Sequence, residues 1–413
     1  MINTILLENT SSLEVEYFYT LTKEEPRIIR HQVLWGWKKN IIKAGIWMNI
    51  IWIAFKTYKN PFEATKKTKA LLNMRNNYRN NGLLQKYYYV NRKYYFNYNA
   101  PGWPSAAFNR YILHLFNKTG TTLNPPSLHT LIFAITKKCG FKCEHCCEWE
   151  VLNKPEKLSR NDIVHIVNRF YQKGVAQVQL SGGEPLNRFD DIIHLLDNSP
   201  TSINFWIYTT GYNLSFEKAR VLKKYGLTGI TISLDHWDPL EHDAFRGKPG
   251  SFDRAIQAIK YAIENDLLVT LSICATRSFI SHENLYHFAR LAKDNHVTFI
   301  QVLEPKAVGH YAGMDVLLQK SHTGILESFY EDMNYNREYR SFPIVAYHGY
   351  YSRRVGCSGA GKDYLYVDTD GDVHNCPFCQ RKIFSALDEN LDEALIRLRS
   401  TGCNIFVSSS NKN

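Results

Sequence analysis

A chain of 413 residues, 44% hydrophobic and 22% charged, is composed like a folded globular protein and, at roughly 100–200 residues per domain, is long enough for two or three domains. Nine cysteines without an N-terminal signal pattern argue against a small secreted disulfide scaffold; the expected compartment is a reducing cytoplasm, where gathered cysteines usually serve metal binding or catalysis. The net charge of +11 has a local source: between Leu21 and Ala100 stand 16 Lys and Arg against 3 Asp and Glu, and the rest of the chain is nearly neutral.

The first region, residues 1–125, is basic and tyrosine-rich, and reads as mostly helical with one hairpin. Its most apolar piece, Ile41–Phe55, is 15 residues long, whereas a membrane-spanning helix needs about 20. On a helical wheel Lys39, Lys43, Asn49 and Lys56 share a broad arc, which Ile46, Ile50 and Ile53 interrupt. Two readings stand: a buried helix, or a helix lying in the plane of a membrane surface. The surrounding lysines suit an anionic membrane or an acidic peptide, or form a solvated face. Lys86–Tyr98 reads as a hairpin turning at Asn91-Arg92, and Asn124-Pro125-Pro126 as a linker.

The second region, residues 126–310, repeats a short β-branched strand, a loop and a helix six times. The strands are expected at 131–136, 175–180, 203–208, 229–234, 268–273 and 297–302. They are continuous apolar runs, as parallel strands covered by helices require. Helices are expected over Ser159–Lys173, Ser215–Tyr225 and Ser251–Asn265, among others. Six βα units suggest an α/β fold built on an open, partial (β/α)6 barrel, with chemistry in the loops at the carboxyl ends of the strands. The third region, 311–413, is a small cysteine-rich α+β extension with a turn at Asp370-Gly371 and a loose SSSNKN tail.

Cys139, Cys143 and Cys146 sit in the loop after the first strand. Three thiolates at these spacings can hold three corners of a [4Fe–4S] cube; full ligation takes four, so one iron stays open for another molecule. Zinc is the competing reading, but structural zinc wants four ligands, commonly as paired Cys-x-x-Cys units. His145, on the same tight loop, is a poor fourth.

With these residues the chain resembles the radical S-adenosylmethionine (SAM) superfamily, whose cysteine triplet ends the first strand of a partial barrel. Ser181-Gly182-Gly183-Glu184-Pro185, after the second strand, resembles the family's GGEP motif for the SAM amino group. Glycines let a backbone approach a ligand closely, and Glu184 can accept hydrogen bonds from an ammonium. The resemblance implies that Thr210, within Thr209-Thr210-Gly211, lies near the ribose. It also implies that Ser233 and Arg246 reach the ribose or carboxylate and that His145 stands beside the adenine. On the bland reading Ser233 ends its strand and Arg246 caps a helix.

Cys357, Gly371, Cys376 and Cys379 are separated by 13, four and two residues, and Cys403 lies further on. The spacing resembles the opening of the SPASM and twitch extensions that carry auxiliary iron–sulfur clusters. Cysteines are too few here for the full SPASM pattern, so one auxiliary cluster held by Cys357, Cys376, Cys379 and Cys403 fits better. A zinc ribbon is the alternative. Cys147 reads as a packed thiol, Cys274 as facing either core or site, and the aromatic run Tyr347–Tyr351 as stacking on substrate or simply buried. Glu304, at the end of the sixth strand, reads as a proton acceptor, a substrate contact or half of a salt bridge.

The resemblance implies an enzyme that cleaves SAM by one electron to a 5′-deoxyadenosyl radical, which abstracts hydrogen from substrate. An electron donor such as flavodoxin or ferredoxin is the expected partner, and no nucleic acid is expected. The leading substrate expectation is a peptide or protein, as for a ribosomal peptide maturase, although no small winged-helix leader-binding pattern is visible. The alternatives are a lipid or other amphiphile met through peripheral membrane contact, and a non-catalytic iron–sulfur electron carrier. A GGEP loop has no purpose in a pure carrier.

Overall fold

The computed structural model describes residues 31–79, 82–119, 128–357, 359, 361–388 and 390–401. Cys403, the Asn124–Pro126 linker and the SSSNKN tail lie outside these residues. The chain begins with β1 (Gln32–Trp35), α1 (Gly36–Tyr58), α2 (Pro61–Arg79), β2 (Lys86–Val90), β3 (Lys93–Tyr95) and α3 (Ala106–Lys118). The expected hairpin is present: β2 and β3 pair antiparallel through a turn in which Asn91 and Arg92 both take positive φ, the primed geometry that follows strand twist. Its second arm ends at Tyr95, and β1, not anticipated, pairs with β2 to make a three-stranded sheet.

A βα succession follows: β4 (Thr130–Thr136), α4 (Arg160–Gln172), β5 (Gln177–Gly182), α5 (Phe189–Asp197), β6 (Asn204–Thr209), α6 (Phe216–Lys224), β7 (Gly229–Ser233), α7 (Pro239–Arg246), α8 (Ser251–Glu264), β8 (Leu268–Cys274), α9 (His282–Asp294) and β9 (Phe299–Leu303). After it come α10 (Lys320–Tyr335), β10 (Ile344–Tyr347), α11 (His348–Val355), β11 (Tyr364–Val367), β12 (Asp372–His374), β13 (Phe384–Ser385) and α12 (Leu391–Thr401). The six expected strands are all present, within two residues of their anticipated starts. Helices begin where short polar side chains take the first free amides: Ser159 forms a capping box with Asp162, and Ser215, Asp238 and Ser281 cap α6, α7 and α9.

The sheet is wider than six strands. β11 pairs parallel with β4 at one edge and β10 parallel with β9 at the other, giving the order β10-β9-β8-β7-β6-β5-β4-β11, which β12 and β13 extend antiparallel. The fold is a mixed α/β protein built on an open parallel sheet, a partial barrel. One core lies between sheet and helices, with Leu131, Val178, Ile230 and Leu271 fully buried.

A second core joins the N-terminal elements to the floor of the barrel. Tyr98 packs edge-on against Trp206 and Phe299, with ring centroids 5.2 and 5.8 Å apart. Lys86, fully buried, donates to the carbonyls of Met333 and Tyr339, both at 2.7 Å, so a cation from β2 meets acceptors at the end of α10 and just beyond it. Burial holds that ammonium's pKa well below its ordinary value.

Helix α1 corrects an expectation. Lys39, Lys43 and Asn49 were read as part of a polar arc, yet that side is packed inward: Lys39 donates to the Leu84 carbonyl at 2.9 Å, and Asn49 accepts from the Trp103 indole at 2.8 Å, beside buried Ile46, Ile50 and Ile53. The opposite face, with Trp37, Ile41, Met48 and Trp52, is exposed. Among the described residues no helix is long and apolar enough to cross a membrane.

Candidate functional site

The cysteine loop leaves β4 at the carboxyl edge of the sheet and is held from three sides. The first is the Gly182-Gly183 turn. Gly183 N–H donates to the Thr136 carbonyl at 2.7 Å and Glu184 N–H to that of Lys138 at 2.8 Å. A Cβ on Gly182, whose φ is +121°, would lie 2.5 Å from the Thr136 carbonyl oxygen, and one on Gly183 2.5 Å from that of Lys138, so only glycines admit this approach.

The second side is the end of α7, where Lys142 and Glu144 N–H donate to the carbonyls of Arg246 and Phe245. The third is the loop after β9: His310 N–H donates to the Cys146 carbonyl at 2.9 Å, and its Nδ1 lies 2.9 Å from that of Cys143. The imidazole also stacks on Trp149, centroids 3.9 Å apart and planes 6° from parallel. Sequence reasoning missed His310, because one histidine in a loop carries no spacing signal.

Cys139, Cys143 and Cys146 all line one cavity of about 590 Å³. Burial, with the charge of Cys143 beside each, pushes the thiols of Cys139 and Cys146 up to about 11 and about 12. A cationic group seated among them would draw those protons off, which suits a cluster and no free thiol chemistry. Among the described residues no three His, Cys, Asp or Glu side chains converge on a single ion position.

The same cavity takes in Gly182, Gly183, Thr210, Ser233 and His145. His145 stacks on Phe245 at 5.1 Å, and burial lowers its pKa to about 4. Glu184 is buried and already filled: Oε1 accepts from Leu186 N–H at 3.1 Å and the Thr209 hydroxyl at 2.6 Å, and Oε2 from Thr210 N–H at 2.9 Å and its hydroxyl at 2.7 Å. Four donors occupy the carboxylate where a ligand ammonium was expected, so Glu184 ties the GGEP loop to the loop after β6. Pro185 opens the short helical turn behind it.

Arg246 lines the same cavity. Its guanidinium pairs with Asp235 at 2.5 Å and stands 3.5 Å from the Cys143 sulfur. Burial pushes the Asp235 carboxyl up, but Arg246, His145, His242 and the Cys274 N–H together outweigh it and leave that carboxyl below its ordinary value. Asp235 also accepts the Cys274 N–H at 2.9 Å, and Cys274 faces the cavity, settling the alternative left open for it.

Glu304 at the mouth takes the salt-bridge reading. Its carboxylate accepts from Arg353 at 2.6 Å, from the Tyr347 hydroxyl at 2.7 Å and from Lys306 at 3.2 Å. Burial works against the charge, but these donors outweigh it and hold the carboxyl below its ordinary range, a poor setting for a base. Tyr347 and Tyr350 are buried in the core.

Below the loops, the barrel interior is polar. Tyr208 donates to Gln179 at 3.2 Å, Gln301 to Tyr208 at 3.3 Å, and Ser272 to Gln301 at 3.0 Å. Tyr98 closes the floor through Tyr208 at 2.5 Å and Thr231 at 2.9 Å. On the other flank, the C-terminal strands lock onto the cysteine loop: Lys137 pairs with Asp370 at 2.5 Å, and Gln380 donates to the Cys147 carbonyl at 3.2 Å. Cys376 and Cys379 share a tight turn after β12, and Cys357 Sγ accepts from Gly359 N–H at 3.3 Å.

Residues 133–293 match the radical SAM superfamily. A GTP 3′,8-cyclase of Desulforamulus reducens is 31% identical over 207 residues, covering 46% of this chain and 62% of that protein. An AdoMet-dependent heme synthase of Methanosarcina barkeri is 25% identical over 276 residues, covering 62% and 78%. The chain spans 62% and 47% of two GTP 3′,8-cyclases and 45% of a Nitratidesulfovibrio vulgaris heme synthase. Among solved structures, Streptococcus suis SuiB bound to precursor peptide SuiA superposes with a TM-score of 0.56 at 18% identity, over 84% of this chain and 80% of that one. AdoMet-bound anSMEcpe does so with a TM-score of 0.51 at 14% identity, over 68% and 84%. At such identities the structures speak to fold. The chain carries a radical SAM domain, of the family that uses a [4Fe–4S] cluster and SAM.

Proposed function

We propose that this protein is a radical SAM enzyme whose cluster is held by Cys139, Cys143 and Cys146 and whose substrate is a peptide or protein. The observation that carries the reading is the docking of Gly182-Gly183 against the cysteine loop, with both at the mouth of one cavity. When bound, cluster and SAM would supply a one-electron cleavage and a 5′-deoxyadenosyl radical that abstracts hydrogen. The chain's own residues do the rest. Backbone groups of Gly182-Gly183 leave space for a ligand at the loop, and Glu184 fixes Thr210 beside it. The Arg246 guanidinium, held by Asp235, stands against Cys143, and Tyr98 with Tyr208 lines the cavity below the loops.

A peptide is favoured over a nucleotide or porphyrin for one reason. The superposition on SuiB extends over 84% of the chain, well beyond residues 133–293, whereas the cyclase and heme synthase similarities cover 46% and 62%. Cys357, Cys376, Cys379 and Cys403 would hold an auxiliary cluster; Cys376 and Cys379 stand in the segment that Gln380 ties to the cysteine loop. Anaerobically reconstituted protein, reduced and given SAM, should form 5′-deoxyadenosine, faster with a cognate peptide. Cluster without SAM cleavage would return the electron-carrier reading, and stimulation by GTP instead of peptide would overturn the substrate class.

A further inference from the structure

Helix α1 is apolar on its outer face as well as its buried one. Ile46, Ile50, Ile53 and Ala54 pack inward beside Lys39, while Trp37, Ile41, Ala44, Met48, Ile51 and Phe55, at alternating spacings of four and three, run along the outer face with Trp52 beside them. All are exposed, Trp37 at 69% and Met48 at 66%. A contiguous apolar stripe of this kind marks an interaction surface.

Its surroundings select the partner. α1 contains no acidic residue and α2 only Glu63. Lys38, Lys56 and Lys59 border the stripe, with the Lys38 and Lys56 ammonium groups 5.8 and 5.1 Å from the Trp37 and Trp52 ring centroids. The spacing would also suit a second copy of the helix, but two such lysine-lined faces would repel. Tryptophan and lysine framing an apolar stripe, on a helix that does not span, is the pattern of an element lying in a bilayer interface.

We infer that α1 docks this protein on an anionic lipid surface, with the apolar stripe among the acyl chains and the lysines at the headgroups. The stripe residues are not among those lining the cavity that holds Cys139, Cys143 and Cys146, which α1 meets through Lys43, Ile46, Trp47 and Ile50 instead. Docking is independent of the substrate assignment.

The test is cosedimentation of the full-length protein with vesicles of phosphatidylcholine mixed with phosphatidylserine, and with phosphatidylcholine alone. Binding to the mixed vesicles, weakened by salt, is expected. Ile41→Gln, Met48→Gln and Trp52→Gln together should abolish it, and Lys38→Gln, Lys56→Gln and Lys59→Gln together should weaken it about a hundredfold. Thermal melting confirms that both variants fold. In a Met48→Cys protein, labelling of that thiol by a charged maleimide should be fast and slowed by mixed vesicles. Slow labelling without lipid, a dimer that the apolar variant dissolves, or no vesicle binding would each overturn the inference, the first two by showing that residues 1–30 or a second copy covers the face.

Discussion

His310 holds the cysteine loop at two carbonyls, its N–H on Cys146 and its ring 2.9 Å from the Cys143 oxygen, so the loop after β9 clasps the one after β4. Those two carbonyls belong to residues whose thiols face the cavity. Removing the ring should loosen the loop by about 1–3 kcal/mol, the cost of leaving such groups unpaired. His310→Ala should therefore lose cluster iron faster on gel filtration than wild type, with a broadened EPR signal. Gly309→Ala should do the same, because its φ is +58° and an added Cβ would overlap the Cys146 carbonyl. Unchanged iron retention in both would deny the clasp a role.

Glu184→Gln tests the carboxylate with four donors. One amide N–H₂ must then oppose a backbone donor from Thr210 or Leu186, destabilising the two loops by about 1–3 kcal/mol. SAM affinity of the reconstituted variant, by equilibrium dialysis, should fall even though the thiols are untouched. Equal affinity would mean that Thr210 needs no such tether.

Stability should fall on mild acidification. Burial lowers His129 to about 3 and His242 to about 4, so both are neutral in the fold and ionise readily when it opens. Below the ordinary histidine value of about 6.5 the unfolded chain binds the extra protons, and stability drops by up to about 1.4 kcal/mol per pH unit for each group until the folded values are reached. Urea midpoints between pH 7 and pH 4.5 should show that slope, and His129→Gln should reduce it. A flat wild-type profile would contradict the assignment.

Much of this was legible beforehand because apolar runs report parallel strands directly, and the Asn91-Arg92 turn reports a hairpin. The edge strand β10 escaped, being four residues long and lacking a βα rhythm, and β11, legible as a short β signal at YLYV before the Asp370-Gly371 turn, gave no sign that it would pair with β4. The sense of α1 was left open because periodicity marks two faces without saying which is buried, and Lys39 reaches a carbonyl 45 residues away. Glu304 was ambiguous for the same reason: Arg353, 49 residues on, settles its state. Arg246 could be placed at the site, but its partner Asp235 could not be assigned without coordinates.

The auxiliary site predicts iron that survives loss of the triplet. With Cys139, Cys143 and Cys146 all changed to Ala, reconstituted protein should still show visible charge-transfer absorption, and Cys376→Ser with Cys379→Ser should remove it. Stoichiometric zinc in place of iron would assign a ribbon.

The central claim is that the triplet holds the cluster that cleaves SAM. Anaerobically reconstituted and reduced wild-type protein, assayed for 5′-deoxyadenosine by mass spectrometry, should produce it. The Cys139→Ala/Cys143→Ala/Cys146→Ala variant should lose about four irons per chain and produce none; 5′-deoxyadenosine from that variant would contradict the account.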